Sequence, residues 1–169
     1  KLLENGKYPF IQTGDVKAAK RYITEYSKMY GEFGLQQSKL WPKGTLCITI
    51  AANIAETAFL GIDACFPDSV VGFAPFDNVC SEYVKHFIES QTLRLWAFAP
   101  ATAQKNINLD TLENLVIPYC SFEEQKAVVS EIESRMTLCD SIEKTVDTAL
   151  QQAEAMRQSI LKRAFEGKL

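Results

Sequence analysis

Residues 132–163 repeat in sevens. Ile132, Cys139, Val146, Ala153 and Ile160 share one heptad position, and Arg135, Ile142, Ala149, Met156 and Arg163 share the position three residues on. A seam held over more than four heptads specifies a coiled coil rather than a surface helix of a globular domain, because supercoiling keeps a 3.5-residue period facing its partner. Leu138, Leu150, Leu161 and Phe165 widen the stripe. From Ser121 onward there is no proline and a single glycine, Gly167. Ser121 followed by Glu124 is a capping box, in which the hydroxyl accepts from the N3 amide and the carboxylate reaches back to the cap amide. Pro118 stops the preceding segment from running on as helix. A helix from Phe122 to Phe165 is expected to be roughly 65 Å long. The domain before it is too short to cover such a rod, so the rod requires a partner helix.

The stretch before the rod is turn-rich. At 169 residues and 47% hydrophobic, the chain has length for one sizeable core. Tyr8–Thr13 reads as a strand, and Val16–Tyr30 as mostly loop with a helical turn. Leu46–Ile50, Glu56–Ile62 and Asp68–Pro75 read as strands, the last two close enough in sequence to pair antiparallel. A helix is expected over Asn78–Ser90, with Val79, Tyr83, Phe87 and Ile88 as its apolar stripe and His86 off the stripe, on the surface. Leu93–Pro100 reads as a strand with Trp96 inward, and Thr102–Asn108 as a polar loop. Asp110 is expected to cap a short helix, and Val116–Pro118 to close the domain as a strand. The expected architecture is an α/β (α+β) domain over 1–120 with a mostly antiparallel sheet and short helices, then a coiled-coil helix over 121–169.

No GxGxxG, GxxxxGK[ST], HExxH or GxSxG occurs, so the sequence offers no phosphate cradle, zinc-protease helix or nucleophile elbow. Five scattered cysteines, Cys47, Cys65, Cys80, Cys120 and Cys139, and one histidine form neither a metal-ligand cluster nor a secreted disulfide framework. Reduced, mostly buried thiols are expected. Glu123, Glu124, Glu131 and Glu133 lie on the rod as solvated charges. No stretch reaches the roughly 18 apolar residues of a membrane helix, and the N-terminus lacks the apolar core of a signal peptide. A cytoplasmic, non-catalytic protein is the expectation.

The net charge of −3 is unevenly spread. Residues 1–43 carry eight bases against four acids, whereas residues 44–120 carry three against eight. Such asymmetry allows one basic face toward phosphates. Side chains that read base edges (Asn and Gln for adenine, Arg and Lys for guanine) occur at Gln12-Thr13, Gln36–Lys39, Asn53, Gln91–Arg94 and Thr102–Asn106. The Gln36–Lys39 and Thr102–Asn108 segments combine amides with lysine between apolar runs.

Four stretches together resemble the specificity (S) subunit of type I restriction–modification systems: YPFIQTGDV (8–16), residues 41–73, residues 102–129 with their IP…EEQ, and RQSILKRAFEGKL (157–169). The resemblance covers nearly the whole chain. It implies a strand-built target-recognition domain followed by a spacer helix. It also implies double-stranded DNA as ligand, read as one half of a bipartite site, and modification (methyltransferase) and restriction subunits as partners. Methyl transfer and cleavage would belong to those partners. The chain has no Asn-Pro-Pro-aromatic motif, so no cofactor is expected on it, and S-adenosylmethionine is expected on the modification subunit. The family carries two recognition domains and two spacer helices in an antiparallel coiled coil, whereas this chain has one of each. It also begins at YPFIQTGDV without the family's opening segment. It is therefore expected to be a fragment or a half-subunit, completing itself with a second copy as a C2 dimer. The DNA-contact residues expected are Lys17, Lys20, Arg21, Gln37, Lys39, Asn53, Thr102, Gln104, Lys105 and Asn106. The coiled-coil contacts expected are Ile132, Cys139, Ile142, Val146, Ala149, Ala153, Met156 and Ile160. A coiled-coil adaptor that binds no DNA is the competing expectation.

Overall fold

A computed structural model describes residues 6–98 and 106–168. The chain divides into two compact units, Lys1–Lys126 and Ala127–Leu169.

The first unit is built on a four-stranded sheet. Its strands are β2 (Tyr22–Ile23), β4 (Leu46–Thr49), β5 (Thr57–Leu60) and β6 (Val70–Phe73), in the order β2-β5-β4-β6. A separate antiparallel pair joins β1 (Tyr8–Phe10) to β3 (Lys28–Tyr30). The larger sheet is antiparallel except where β2 runs parallel to β5. Every residue of β4 and β5 is buried, and the alternation of side chains along a strand divides them between two cores. Cys47, Ala58 and Leu60 face a cluster with Ile11, Val16, Ile23 and Val70. Leu46, Ile48 and Phe59 face another with Val84, Ile88, Leu95 and Ile107. The first core is closed by α1 (Thr13–Ala18), the second by α3 (Ser81–Ser90) and α4 (Thr92–Phe98). Two further short helices are α2 (Glu32–Leu35) and α5 (Leu109–Glu113).

Several sequence expectations are corrected. β5 and β6 do not pair with each other; both flank β4, because a strand with both faces buried is satisfied best at the centre. Leu93–Pro100 contains a helix, α4, not a strand. Thr92–Phe98 has no Val or Ile, and its Leu, Arg and Ala are strong helix formers. Leu95 rather than Trp96 is its fully buried residue. In α3 the inward positions are Val84 and Ile88, while the Tyr83 hydroxyl donates to the Pro118 carbonyl at 2.9 Å. His86 is mostly covered, its Nδ1 3.3 Å from Glu89, which also accepts from Lys85 and Thr57. Val16–Tyr30 contains the second half of α1 and both β2 and β3 rather than mostly loop. The cap of α5 is Asn108, whose Oδ1 accepts from the Thr111 amide at 3.0 Å; Asp110 lies inside the first turn. Val116–Pro118 is not in a strand.

The long helix is α6 (Phe122–Phe165). Ser121 Oγ accepts from the Glu124 amide at 3.2 Å, as the capping box predicts. Its first turn, within the first unit, holds Gln125, a polar residue only 1% exposed. The Gln125 side chain accepts from the Cys80 amide at 2.8 Å and donates to the carbonyls of Cys120 at 2.9 Å and Asn78 at 3.2 Å. In the second unit every residue from Ser134 to Lys168 is exposed, including the apolar ones of the seam. Cys47, Cys65 and Cys80 are buried, Cys120 is half-buried and Cys139 exposed. No described helix is long and apolar enough to cross a membrane.

Candidate nucleic-acid interface

The turn between β4 and β5 gathers three of the expected contact residues. Lys17 projects from α1, whose Val16 is packed into the core. Its Nζ donates to Asn53 Oδ1 at 3.4 Å and lies 4.0 Å from the Glu56 carboxylate. Asn106 is an exposed residue opposite Ala51 in an antiparallel bridge, fastened by the Ile107 amide donating to Ile50 O at 2.8 Å. Thus Lys17, Asn53 and Asn106, widely separated in sequence, meet at one end of the sheet.

The turn itself is tightly built. Ala52 and Ala55 have φ of 62° and 66°, a left-handed conformation disfavoured for any residue with a Cβ. Thr49, fully buried, spans the turn: its hydroxyl donates to the Asn53 carbonyl and accepts from the Glu56 amide at 3.1 Å. The Ala55 amide donates to Thr49 O at 2.9 Å. Backbone strain of this kind persists where the surroundings over-determine the conformation, and it concentrates at functional sites. Thr49 and Glu56 were not among the residues the sequence singled out. The Ala-rich turn AANIAE contains neither Gly nor Pro, and Asn53 is its single turn-forming residue.

The other expected contacts lie elsewhere. Lys20 is exposed just after α1. Arg21 is 3.6 Å from Glu82 and lies over the Tyr22 ring. Gln37 and Lys39 line a separate open cavity of about 1180 Å³ together with Trp41, Phe66 and Asp68. There the Lys39 ammonium sits 4.0 Å from the centre of the Trp41 ring, itself stacked on Phe66. Thr102, Gln104 and Lys105 fall outside the described residues; Asn106 is the first described residue after them.

Among the described residues no group of three or more His, Cys, Asp or Glu is placed to hold a metal ion. Burial drives the Cys47 thiol up to about 12, the direction opposite to an activated nucleophile. Burial likewise raises Cys65.

Comparison with known proteins bears on the lineage and the fold of the chain. The family model for the type I restriction modification DNA specificity domain matches residues 1–152. The type I restriction enzyme EcoBI specificity subunit of Escherichia coli is 28% identical over 166 residues, covering 94% of this chain and 35% of its own length. The chain therefore spans about a third of that relative. Among solved structures, a chain from work on complex assembly and conformational transition of the type I R-M system superposes with a TM-score of 0.81 at 18% identity. That match covers 99% of this chain and 40% of the other. The HsdS subunit from Thermoanaerobacter tengcongensis superposes with a TM-score of 0.66, also at 18% identity, covering 99% and 39%. At that identity the superpositions establish the fold, and the match over residues 1–152 establishes the lineage. The chain belongs to the family of type I restriction modification DNA specificity domains.

Proposed function

We propose that this chain reads one half of a bipartite DNA site on behalf of a cytoplasmic type I restriction–modification complex. The first unit is the DNA reader and the α6 rod the spacer. Lysines at the sheet end and along α1 position the duplex through phosphates, while amide side chains in the major groove specify bases. Methyl transfer and cleavage are the work of docked modification and restriction subunits, and S-adenosylmethionine binds there rather than here. The rod pairs with a second spacer helix, from another copy or another half-subunit, and its fixed rise sets the separation of the two half-sites. The observation that carries this reading is the convergence of Lys17, Asn53 and Asn106 on one rigid turn, and the family match supports it.

The experiment is duplex binding by the chain together with its modification subunits at two salt concentrations. A DNA reader loses log K in proportion to log salt, with about 0.9 lost per phosphate neutralised, and prefers one sequence. Binding that shows neither property would leave the coiled-coil adaptor as the function.

A further inference from the structure

Two of the cations expected to meet DNA face carboxylates of the same unit. Lys17 Nζ lies 4.0 Å from Glu56 Oε1, and Arg21 Nη2 lies 3.6 Å from Glu82 Oε1. Both separations exceed a hydrogen bond, and all four side chains are substantially exposed. Ion pairs of this kind contribute little to stability. The two acids are nevertheless held in place. Glu56 closes the strained turn, its amide donating to the Thr49 hydroxyl at 3.1 Å and its carbonyl accepting from the Thr49 amide at 3.0 Å. Glu82 stands in the first turn of α3, where its Oε2 accepts from the Cys80 thiol at 3.5 Å. The cations, by contrast, end long side chains rich in rotamers.

To a lysine or an arginine, a carboxylate and a phosphate present the same chemistry, anionic oxygens that accept charge-assisted hydrogen bonds. The chain is basic over residues 1–43 and acidic over 44–120, and these two pairs join one part to the other. A phosphate takes Lys17 or Arg21 only by displacing a fixed acid, so each such contact yields the difference between two ion pairs. We propose that Glu56 and Glu82 are internal competitors for DNA phosphates, holding the first unit's affinity for duplex of any sequence below what its cations would otherwise give. Non-specific sites vastly outnumber a target, so this restraint keeps a reader from being retained on bulk DNA. The inference rests on the reading of the first unit as a DNA reader and adds the two residues that set its phosphate affinity.

The test is binding of a duplex of arbitrary sequence by the chain in complex with its modification subunits, at about 50 mM and about 200 mM salt. Glu82→Gln and Glu56→Gln keep the side-chain shape and remove the charge. Each is expected to tighten binding about two- to fivefold at the lower salt, with a smaller gain at the higher salt as the pairs are screened. Arg21→Met weakens binding, and Glu82→Gln added to Arg21→Met brings no further gain, because the cation it would release is gone. Glu131→Gln makes the same change of charge on α6, where Glu131 pairs with Arg135 at 2.7 Å, and is expected to leave binding as it was. If Glu131→Gln tightens binding as much as Glu82→Gln, net charge alone is responsible and the inference fails. If Glu82→Gln and Glu56→Gln leave binding unchanged or weaken it, the acids do not compete with phosphate, and the inference fails while the DNA-reader function stands. A wild type that binds no duplex at either salt concentration overturns both.

Discussion

Gln125 shows what a single residue contributes that periodicity does not reveal. It belongs to the EEQ triplet at the start of α6, where the sequence suggests only solvated helix-face polarity. In the fold it is buried and binds the Cys80 amide and the Asn78 and Cys120 carbonyls, its first two partners 45 and 47 residues away. Replacing it by Leu preserves the approximate volume but strands these groups away from water. Gln125→Leu is expected to cost about 2–3 kcal/mol, read as a lower urea midpoint at unchanged slope; a loss under about 0.5 kcal/mol would show that water satisfies them. Cys47 makes a second prediction at this scale. Its folded-state pKa is raised by burial to about 12, so above the ordinary thiol range the unfolded chain loses the proton first. Stability from this group is complete below about pH 9 and falls as pH rises toward 12, by about 1.4 kcal/mol per unit at most. Cys47→Ala is expected to flatten the alkaline limb of a stability-against-pH curve. Equal slopes in both proteins would assign that limb to other groups.

Among the elements, the strands whose both faces are buried were the most legible. β4 and β5 fall where short β-rich runs between turns place them, since burial on both sides favours continuous runs of apolar and β-branched residues, and the half-buried β6 falls within its expected run as well. Pairing order was not legible: closeness in sequence favours β5 with β6, whereas the core requires β4 between them. α4 was misread because Leu, Trp and Phe alternate with Arg and Ala over too few residues to separate a period of 2 from one of 3.6. The parallel β2–β5 contact was invisible for another reason, being set by a two-residue strand and a close backbone approach. An added Cβ at Gly61 would lie 2.7 Å from Thr24 Cγ2 and 2.8 Å from the Ile23 carbonyl oxygen. Gly61→Ala must therefore push β2 away, at a cost of about 1–3 kcal/mol, with faster hydrogen exchange at the Phe59 amide, which donates to Arg21 O. Gly14 in α1 has open space around its Cβ position, and Gly14→Ala is expected to stabilise by about 0.5–1 kcal/mol. If both substitutions behave alike, close approach is not what keeps β2 in place.

At the scale of the whole molecule, the long helix was the most legible feature, and the structure adds the state of the side chains along its heptad rows. Ile142, Val146, Met156 and Ile160 are each about half exposed, at 56%, 51%, 65% and 49%. Apolar residues repeated along a helix of 44 residues and left open to water are the ordinary mark of an interaction face. What the heptad rows themselves leave open is the direction in which the proposed partner helix would run. Aligned antiparallel over residues 132–163, two copies pack each first-position residue against a residue of the other seam row. Cys139 of one copy then faces Met156 of the other. The two Cys139 thiols are about 26 Å apart along the axis, far beyond the roughly 7 Å that a disulfide tolerates between Cα atoms. A parallel, in-register pair would instead set them side by side. Cys139 is exposed and free to report the difference. Mild oxidation of the wild type is expected to leave the chains uncrosslinked, while Met156→Cys yields a covalent dimer on a non-reducing gel. Ile142→Asp, placing a charge in the seam, should abolish that crosslink and halve the mass seen by light scattering. A wild-type chain that crosslinks through Cys139 would establish the parallel arrangement, in which the rod cannot hold two DNA readers at opposite ends and the spacer role proposed for it is lost.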